Sequence, residues 1–176
     1  RAVQVDDGAA DIDAILSGTI SGTGASVLQK TGAGALLISG DNTQAGGLTV
    51  SAGRVILGTD TAAGTGTLTL AAGVTLEGSG GTRTITNNLT INGSVTLGGT
   101  DLVFTDSFDQ GGARTYTVLN TTTFGGDIIG SDTLTKAGSG TLILGGGNTI
   151  GAVTINAGAL RISNSGALGT TAAGTT

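Results

Sequence analysis

The sequence uses one long pattern twice. Residues 27–58 read VLQKTGAGALLISGDNTQAGGLTVSAGRVILG, and residues 134–163 read LTKAGSGTLILGGGNTIGAVTINAGALRIS. The two stretches align with a single gap near Gly47, and they share a lysine followed by alternating glycines, an Asn-Thr pair and an Ala-Gly pair. Such a repeat predicts a stacked array, in which each unit buries its apolar face against the next unit, rather than a globular core.

Short stretches in which apolar and polar residues alternate recur along the whole chain, bounded by Gly, Asn, Asp or Ser. This period of two predicts β-strands, and no segment keeps the spacing of an amphipathic helix, about 3.6 residues, for more than a turn. We therefore expect an all-β fold without α-helices. Residues 11–16 are the one ambiguous stretch.

The distance between successive apolar stretches predicts how the strands are arranged. Two series each advance by roughly 20 residues, namely Ile38, Leu57, Leu76, Leu97 and Val118 in one, and Val50, Leu70 and Ile91 in the other. Interleaved series with a common advance are typical of a coil whose strands stack in parallel about 4.8 Å apart. We predict a parallel β-helix of about eight rungs, right-handed because strand twist favours that winding. Residues 1–176 would form one such segment.

The same period assigns the side chains that face the interior. We expect the following to be buried: Leu36, Ile38, Leu57, Leu70, Leu76, Ile91, Leu97, Leu142, Leu144, Ile155 and Leu160. Residues 101–112 fit the pattern least well, so we expect a protruding or irregular loop near residues 107–113. Tyr116 and Phe124 are expected to cover the core beyond that loop.

The composition excludes several kinds of chemistry. The chain has 35 Gly, no Cys and no His, which excludes disulfides, thiolate metal sites and histidine-based catalytic triads. A net charge of −5 makes nucleic acid and anionic membranes unsuitable partners. The sequence therefore predicts no catalytic residue, no cofactor and no metal needed for folding.

Three groups of polar residues could nevertheless suggest a binding site. The acidic residues Asp6, Asp7, Asp11 and Asp13 could hold Ca²⁺, but a solvated acidic segment is the more economical interpretation. Residues 98–102 resemble part of a calcium-binding nonapeptide that is not repeated here. The glycines after Lys30 and Lys136 lie on the wrong side of the lysine for a phosphate-binding loop, so they predict turns.

Other polar positions also have structural explanations. Asn42 and Asn148 occupy the same place in the two copies, and turn asparagines commonly bridge backbone groups. The sequences at Asn88, Asn92 and Asn120 match the N-glycosylation pattern by chance in a chain rich in Asn and Thr. The seven basic residues are scattered, and only Arg83 and Arg114 could approach the aspartates of residues 101–109.

The second copy also carries the residues of a known repeat. They are Leu134, Lys136, Gly138, Gly140, Thr141, Leu142, Leu144, Gly146, Asn148, Gly151, Thr154, Ile155, Gly158 and Leu160. This pattern resembles the passenger-associated transport repeat, also called the autotransporter-associated β-strand repeat, although Gln44 and Ile150 replace its usual tyrosine. The resemblance implies a parallel β-helix on the outside of a bacterial cell, and no particular activity. It also implies passage through the outer membrane unfolded, which fits the lack of cysteine.

These expectations lead to three alternative functions. The first is a non-enzymatic, extracellular structural or adhesive segment of an autotransporter-like surface protein, with neighbouring rungs, a host or neighbouring cell surface, or a glycan as partners. The second is a self-assembling filament or surface-layer subunit that stacks end to end. The third, least favoured by the scattered charges, is a glycan-active β-helix enzyme.

The two ends of the sequence suggest a piece of a longer array. Residues 168–176 align with residues 57–67, which in the first copy lead directly into a strand. The chain opens at Arg1 without an apolar signal segment, and no apolar run approaches membrane-spanning length. We expect any secretion signal, and further rungs, to lie outside this sequence.

Overall fold

A computed structural model describes residues 1–169 of the chain, and it consists of 20 strands joined by turns. The strands are β1 Ala2–Gln4, β2 Ala14–Leu16, β3 Leu28–Thr31, β4 Ala35–Ile38, β5 Leu48–Val50, β6 Arg54–Leu57, β7 Leu68–Leu70, β8 Thr75–Gly78, β9 Arg83–Ile85, β10 Leu89–Ile91, β11 Val95–Gly99, β12 Leu102–Phe104, β13 Phe108–Asp109, β14 Arg114–Val118, β15 Thr121–Phe124, β16 Ile128–Ile129, β17 Leu134–Ala137, β18 Thr141–Leu144, β19 Val153–Ile155 and β20 Ala159–Ile162. Residues 1–169 contain no α-helix, and the ambiguous stretch 11–16 contains β2. No helix suited to crossing a membrane occurs there.

The strands wind into a parallel β-solenoid of about seven turns, with about 20 residues in each rung. One sheet of eight strands, here called the long sheet, has the order β19-β17-β14-β11-β8-β6-β4-β2. Two five-stranded sheets have the orders β1-β3-β5-β7-β10 and β20-β18-β15-β12-β9, and β13 pairs with β16. All ladders between these strands are parallel. The predicted fold is confirmed with about seven rungs, and its right-handed winding stays a prediction.

The strand register confirms one predicted apolar column and corrects the other. Val50, Leu70 and Ile91 stack in register, as expected. In the long sheet Leu57 pairs with Gly78, whereas Leu76 pairs with Val55 and then Leu97. The predicted series therefore combined residues from two neighbouring inward columns. The prediction was right about the inward face and wrong by two residues along the strand, because a shift of two residues keeps a side chain on the same face.

The core consists of the inward side chains of the long sheet and of the two five-stranded sheets. Nine of the predicted inward residues are buried: Leu36, Ile38, Leu57, Leu70, Leu76, Ile91, Leu97, Leu142 and Leu144. Leu160 is partly buried against the core. Ile155 is 50% exposed, so the prediction of its burial was wrong. Ile155 pairs with Lys136 in an inward column, but β19 is the last strand of the long sheet among residues 1–169.

The segment predicted to protrude is largely part of the stack. Residues 102–104 form β12, and Phe108 and Asp109 pair with Ile128 and Ile129 of the next rung. Phe108 is buried because its ring packs against Phe124, with ring centroids 5.2 Å apart. The prediction of an irregular loop was therefore wrong for residues 107–110. A short turn remains at Gly111 and Gly112, whose φ values are 63° and 142°.

Phe124 lies at the centre of an aromatic cluster whose members come from both sides of this turn in the sequence. Its ring centroid is 5.4 Å from that of Phe104 and 5.3 Å from that of Tyr116. Phe124 and Tyr116 are both buried, which confirms their expected place over the core. Burial raises the pKa of the Tyr116 hydroxyl, while the nearby Arg114 charge lowers it by a smaller amount.

The sequence analysis aligned residues 168–176 with residues 57–67. Most of residues 168–176 lie outside the part of the chain that the structure describes.

Candidate functional site

Lys30 points into the solenoid, although it is a charged residue. Its side chain is 0% exposed, and Nζ donates hydrogen bonds to the backbone oxygens of Gly32 at 2.6 Å, Ala52 at 2.9 Å and Thr31 at 3.3 Å. An ammonium group has three donors, so this cage of carbonyl oxygens satisfies it completely. Because Ala52 belongs to the next rung, the lysine joins two rungs from inside.

The second repeat copy builds the same cage around Lys136. Nζ donates to the oxygens of Ala137 at 2.8 Å, Gly138 at 2.8 Å and Ala157 at 3.0 Å, and the side chain is 0% exposed. Burial lowers the pKa of the Lys136 amino group. It also lowers that of Lys30, where the charge of Asp13 acts weakly in the opposite direction.

Each cage requires a glycine at its rim. Gly53 has a φ of 72°, and a Cβ atom there would lie 2.6 Å from Lys30 Nζ and 2.6 Å from the oxygen of Gly32. Gly158 is equivalent, with a φ of 70° and a Cβ position 2.8 Å from Lys136 Nζ. The shared Ala-Gly pair of the two copies is therefore explained by the close approach of the lysine and by the left-handed backbone.

Asn42 and Asn148 bridge the backbones of neighbouring rungs, as the sequence predicted. Asn42 Oδ1 accepts a hydrogen bond from the amide of Ile20 at 2.7 Å, and its Nδ2 donates to the oxygen of Ala62 at 2.8 Å. Asn148 makes the equivalent bonds to Ile128 and Ala167, both at 2.7 Å. Both side chains are buried, and their bonds satisfy the amides of Ile20 and Ile128 and the oxygens of Ala62 and Ala167.

Aspartates perform a related task at the outer corners. Asp101 Oδ1 accepts from the amide of Thr121 at 3.0 Å, and Asp127 Oδ1 accepts from that of Gly147 at 2.7 Å. Asp13 accepts from Ala35 and also from Gly8. These backbone hydrogen bonds, Ala35 first, lower the pKa of the Asp13 carboxyl group. Each of these carboxylates holds a backbone amide, in most cases on the next rung.

The predicted acidic segment does not assemble into a metal-binding group. In residues 1–169 no three carboxylates come close enough together to hold a metal ion. Asp13 is engaged by two backbone amides, and Asp11 forms an ion pair with Arg54, with Oδ1 and Nη2 2.8 Å apart. Arg54 also reaches Glu77 at 3.3 Å. Asp11 and Asp13 therefore belong to a network of surface contacts, and Asp6 and Asp7 are exposed.

The two arginines that could have faced the aspartates of residues 101–109 point elsewhere. Arg83 Nη1 donates to the oxygen of Gly58 and lies 3.6 Å from Asp60 Oδ1. The Arg114 guanidinium group donates to the backbone oxygens of Gly111, Ala113 and Ile91. In the described part of the chain neither guanidinium group lies within ion-pair distance of Asp101, Asp106 or Asp109.

Of the three sequences that match the glycosylation pattern, two lie at the surface. Asn88 and Asn92 are exposed. Asn120 is half-buried, and its Nδ2 donates to the oxygens of Gly98 at 3.0 Å and Thr100 at 2.6 Å. The side chain of Asn120 is therefore tied to the backbone of the previous rung, and its Oδ1 accepts from the Thr122 hydroxyl at 2.8 Å.

The family comparison matches the two copies of the pattern. The model of the passenger-associated transport repeat matches residues 28–57 and 134–162. The chain contains two passenger-associated transport repeats. In both transport repeats the lysine cage, its rim glycine and the bridging asparagine lie within or next to the matched residues, so the repeat encodes the inner contacts that join successive rungs.

A curated relative supports the same assignment. The adhesin BmaC autotransporter of Brucella suis biovar 1 (strain 1330) is 33% identical over 128 residues, which cover 70% of this chain and 4% of the relative. The chain thus corresponds to a small part of that protein's length. The comparison with solved structures gives no significant match for the chain.

Sequence reasoning missed the burial of the two transport-repeat lysines. Lys30 and Lys136 were interpreted only through the turn glycines that follow them. A signal was present, because a lysine conserved in place between two copies, at an inward position of an alternating strand, is unusual for a solvated residue. Lys30 lies two residues after the buried Leu28 in β3, so strand parity puts both side chains on the inward face.

Proposed function

We propose that this chain is a non-enzymatic rod segment in the extracellular passenger of an autotransporter-like bacterial surface protein. The main support for this proposal is that buried lysine and asparagine side chains of its transport repeats donate hydrogen bonds to the backbone of the next rung. Such a rod adds length by adding rungs, and so projects other parts of the protein from the cell surface. Residues 1–176 are one segment of a longer array in this proposal.

The outward faces support an adhesive role for the same segment. Threonines stack in register on two faces, as Thr49, Thr69 and Thr90 on one and Thr75, Thr96 and Thr117 on the other. Successive hydroxyl groups are about 4.8 Å apart along such columns. Hydroxyl columns of this kind suit hydrogen bonding to a glycan or to another cell surface, and the second column ends beside Arg54, which pairs with Thr75. The relative named as an adhesin supports this proposal.

Binding to cells by the purified chain tests the adhesive role. We expect beads coated with the chain to bind cultured animal cells, and the triple substitution of Thr75, Thr96 and Thr117 by alanine to weaken that binding roughly tenfold, since each lost hydrogen bond is worth about 0.5–1.5 kcal/mol. The alanine triple at Thr49, Thr69 and Thr90 tests the other threonine face in the same assay. Binding no better than that of uncoated beads would contradict adhesion by this segment, and release of sugar from a glycan would contradict the non-enzymatic role.

End-to-end assembly is a second candidate, favoured by one observation. Ile155 and Ile162 lie on the last strands of their sheets in the described part of the chain, and they are 50% and 47% exposed. A further rung, from the same protein or from another copy, would cover them. Sedimentation of the purified chain across a dilution series separates the two cases, because only assembly between copies depends on concentration.

A further inference from the structure

Asn92 and Gly93 lie at the corner between β10 and β11. Asn92 is exposed, and its backbone amide donates to the oxygen of Leu70 at 2.8 Å. Within residues 1–169 the Asn92 side chain makes no hydrogen bond, and the backbone amide of Gly93 donates none either. The side-chain amide and the nitrogen that follows it are therefore both without a competing partner.

We infer that Asn92 is a site of spontaneous deamidation, because its exposed side-chain amide is followed by a glycine whose nitrogen is not hydrogen-bonded. The Gly93 nitrogen attacks Cγ of Asn92, the new N–Cγ bond forms, and the Cγ–Nδ2 bond breaks. Ammonia leaves, carrying the proton that the Gly93 amide loses. Water then opens the resulting succinimide at Cγ to give aspartate, or at the backbone carbonyl to give isoaspartate.

The neighbouring rung explains why the pair contains glycine. A Cβ atom at position 93 would lie 2.3 Å from Cβ of Ala72 and 2.7 Å from its Cα, so only glycine fits. Position 92 carries no such requirement. Val50, Leu70 and Ile91 stack in one inward column, and the residues directly after the first two of them are Ser51 and Ala71. Packing therefore requires glycine at position 93, which makes the Asn92–Gly93 sequence labile, whereas position 92 can accept residues other than asparagine.

Asn156 provides a matched comparison inside the same molecule. It also is exposed and directly follows a strand, and its backbone amide donates to the previous rung, at the oxygen of Lys136. The residue after it is Ala157, whose Cβ hinders attack by the following nitrogen. The two sites differ in the residue that supplies the nucleophile and in its burial, since Gly93 is buried and Ala157 is exposed.

Deamidation at this corner changes the stack in two ways. Both products add a negative charge to the surface. Isoaspartate also moves a methylene group into the main chain, next to the corner where Gly73 donates to the oxygen of Ser94 and Thr96 donates to that of Val74. The longer backbone disturbs this register, so the isoaspartate form should unfold at a lower temperature than the aspartate form.

Peptide mapping of the folded chain after incubation at mildly alkaline pH tests the inference. We expect the peptide containing Asn92 to gain about 1 Da at least about tenfold faster than the peptide containing Asn156, since glycine lacks the hindering Cβ. Isoaspartate must be assigned peptide by peptide, because Asp7-Gly8 can also produce it. Equal rates at the two asparagines, or an Asn92 peptide that stays unchanged while Asn156 reacts, would overturn the inference.

Two substitutions separate the chemistry from its consequence. Asn92→Ser should fold as the original chain does and show no mass gain in that peptide. Asn92→Asp carries the new charge without the extra backbone atom. Its thermal unfolding midpoint should therefore lie above that of the original chain after incubation, which contains isoaspartate. A mass gain that persists in that peptide of the Asn92→Ser chain would show that the reaction occurs at another residue.

Discussion

Replacing Leu76 by aspartate is expected to leave the chain largely unfolded. Leu76 is 0% exposed and stacks between Val55 and Leu97 in the long sheet. A carboxylate there has no charged or donor partner in the inward column, and burying it unpaired costs several kcal/mol. A domain of this size has about 5–15 kcal/mol of stability in total. Far-ultraviolet circular dichroism and resistance to proteolysis measure the loss.

Thr75→Asp is the matched control for the Leu76 substitution. Thr75 is the preceding residue in the same strand, but it faces outward and is only half-buried. The same charge should be tolerated there with little change in the unfolding midpoint. If Leu76→Asp kept the spectrum and midpoint of the original chain, Leu76 could not lie in a packed inward column.

Replacing Lys136 by methionine should lower the free energy of unfolding by about 3 kcal/mol, because hydrogen bonds to charged groups are worth about 1.5–3 kcal/mol each. The oxygens of Gly138 and Ala157 accept no other hydrogen bond among residues 1–169, so they would be left unsatisfied. Removing a buried ammonium group that has no carboxylate partner works in the opposite direction, and burial does lower the pKa of Lys136. Three charge-assisted bonds outweigh that relief.

Denaturant titration measures this loss, and Thr135→Met supplies the control. Thr135 precedes Lys136 in β17 and is half-buried on the outward side, so the same side chain there should leave the midpoint nearly unchanged. A Lys136→Met chain as stable as the original would mean that the cage contributes nothing net. The equivalent change at Lys30 should give a similar loss, since the two cages share their geometry.

The fold was largely predictable because its strongest signals are local and periodic. Alternation fixes which side of a strand faces inward, so Leu36, Leu70 and Leu142 were assigned correctly. Register was harder, because rung length varies and a shift of two residues leaves the pattern unchanged, as Leu57 and Leu76 show. The exposure of Ile155 could not be predicted from alternation, which does not say whether another rung lies above.

The rung-joining contacts were only half predictable. Asparagine at a turn has a well-known tendency to bridge backbone groups, so the role of Asn42 and Asn148 followed from their shared position. A lysine is normally placed in solvent, and three carbonyl oxygens converge on Lys30 only after residues 31–32 and 52 have been brought together by the winding. No local pattern reports such a cage. The signals of it were the repeated Lys-x-Gly sequence and the inward position of the lysine in its strand.

Removing one whole rung tests the central claim most directly, namely that the chain is a stack of equivalent parallel rungs. Thr75 and Thr96 occupy the same place in successive rungs, so deleting residues 75–95 joins Val74 to Thr96 without changing the face of any later side chain. We expect this chain to keep the β-sheet spectrum and cooperative unfolding of the original. Deleting residues 75–84 removes half a rung, misaligns the faces and should abolish folding. Loss of folding in the whole-rung deletion, or equal tolerance of both deletions, would contradict the stacked architecture.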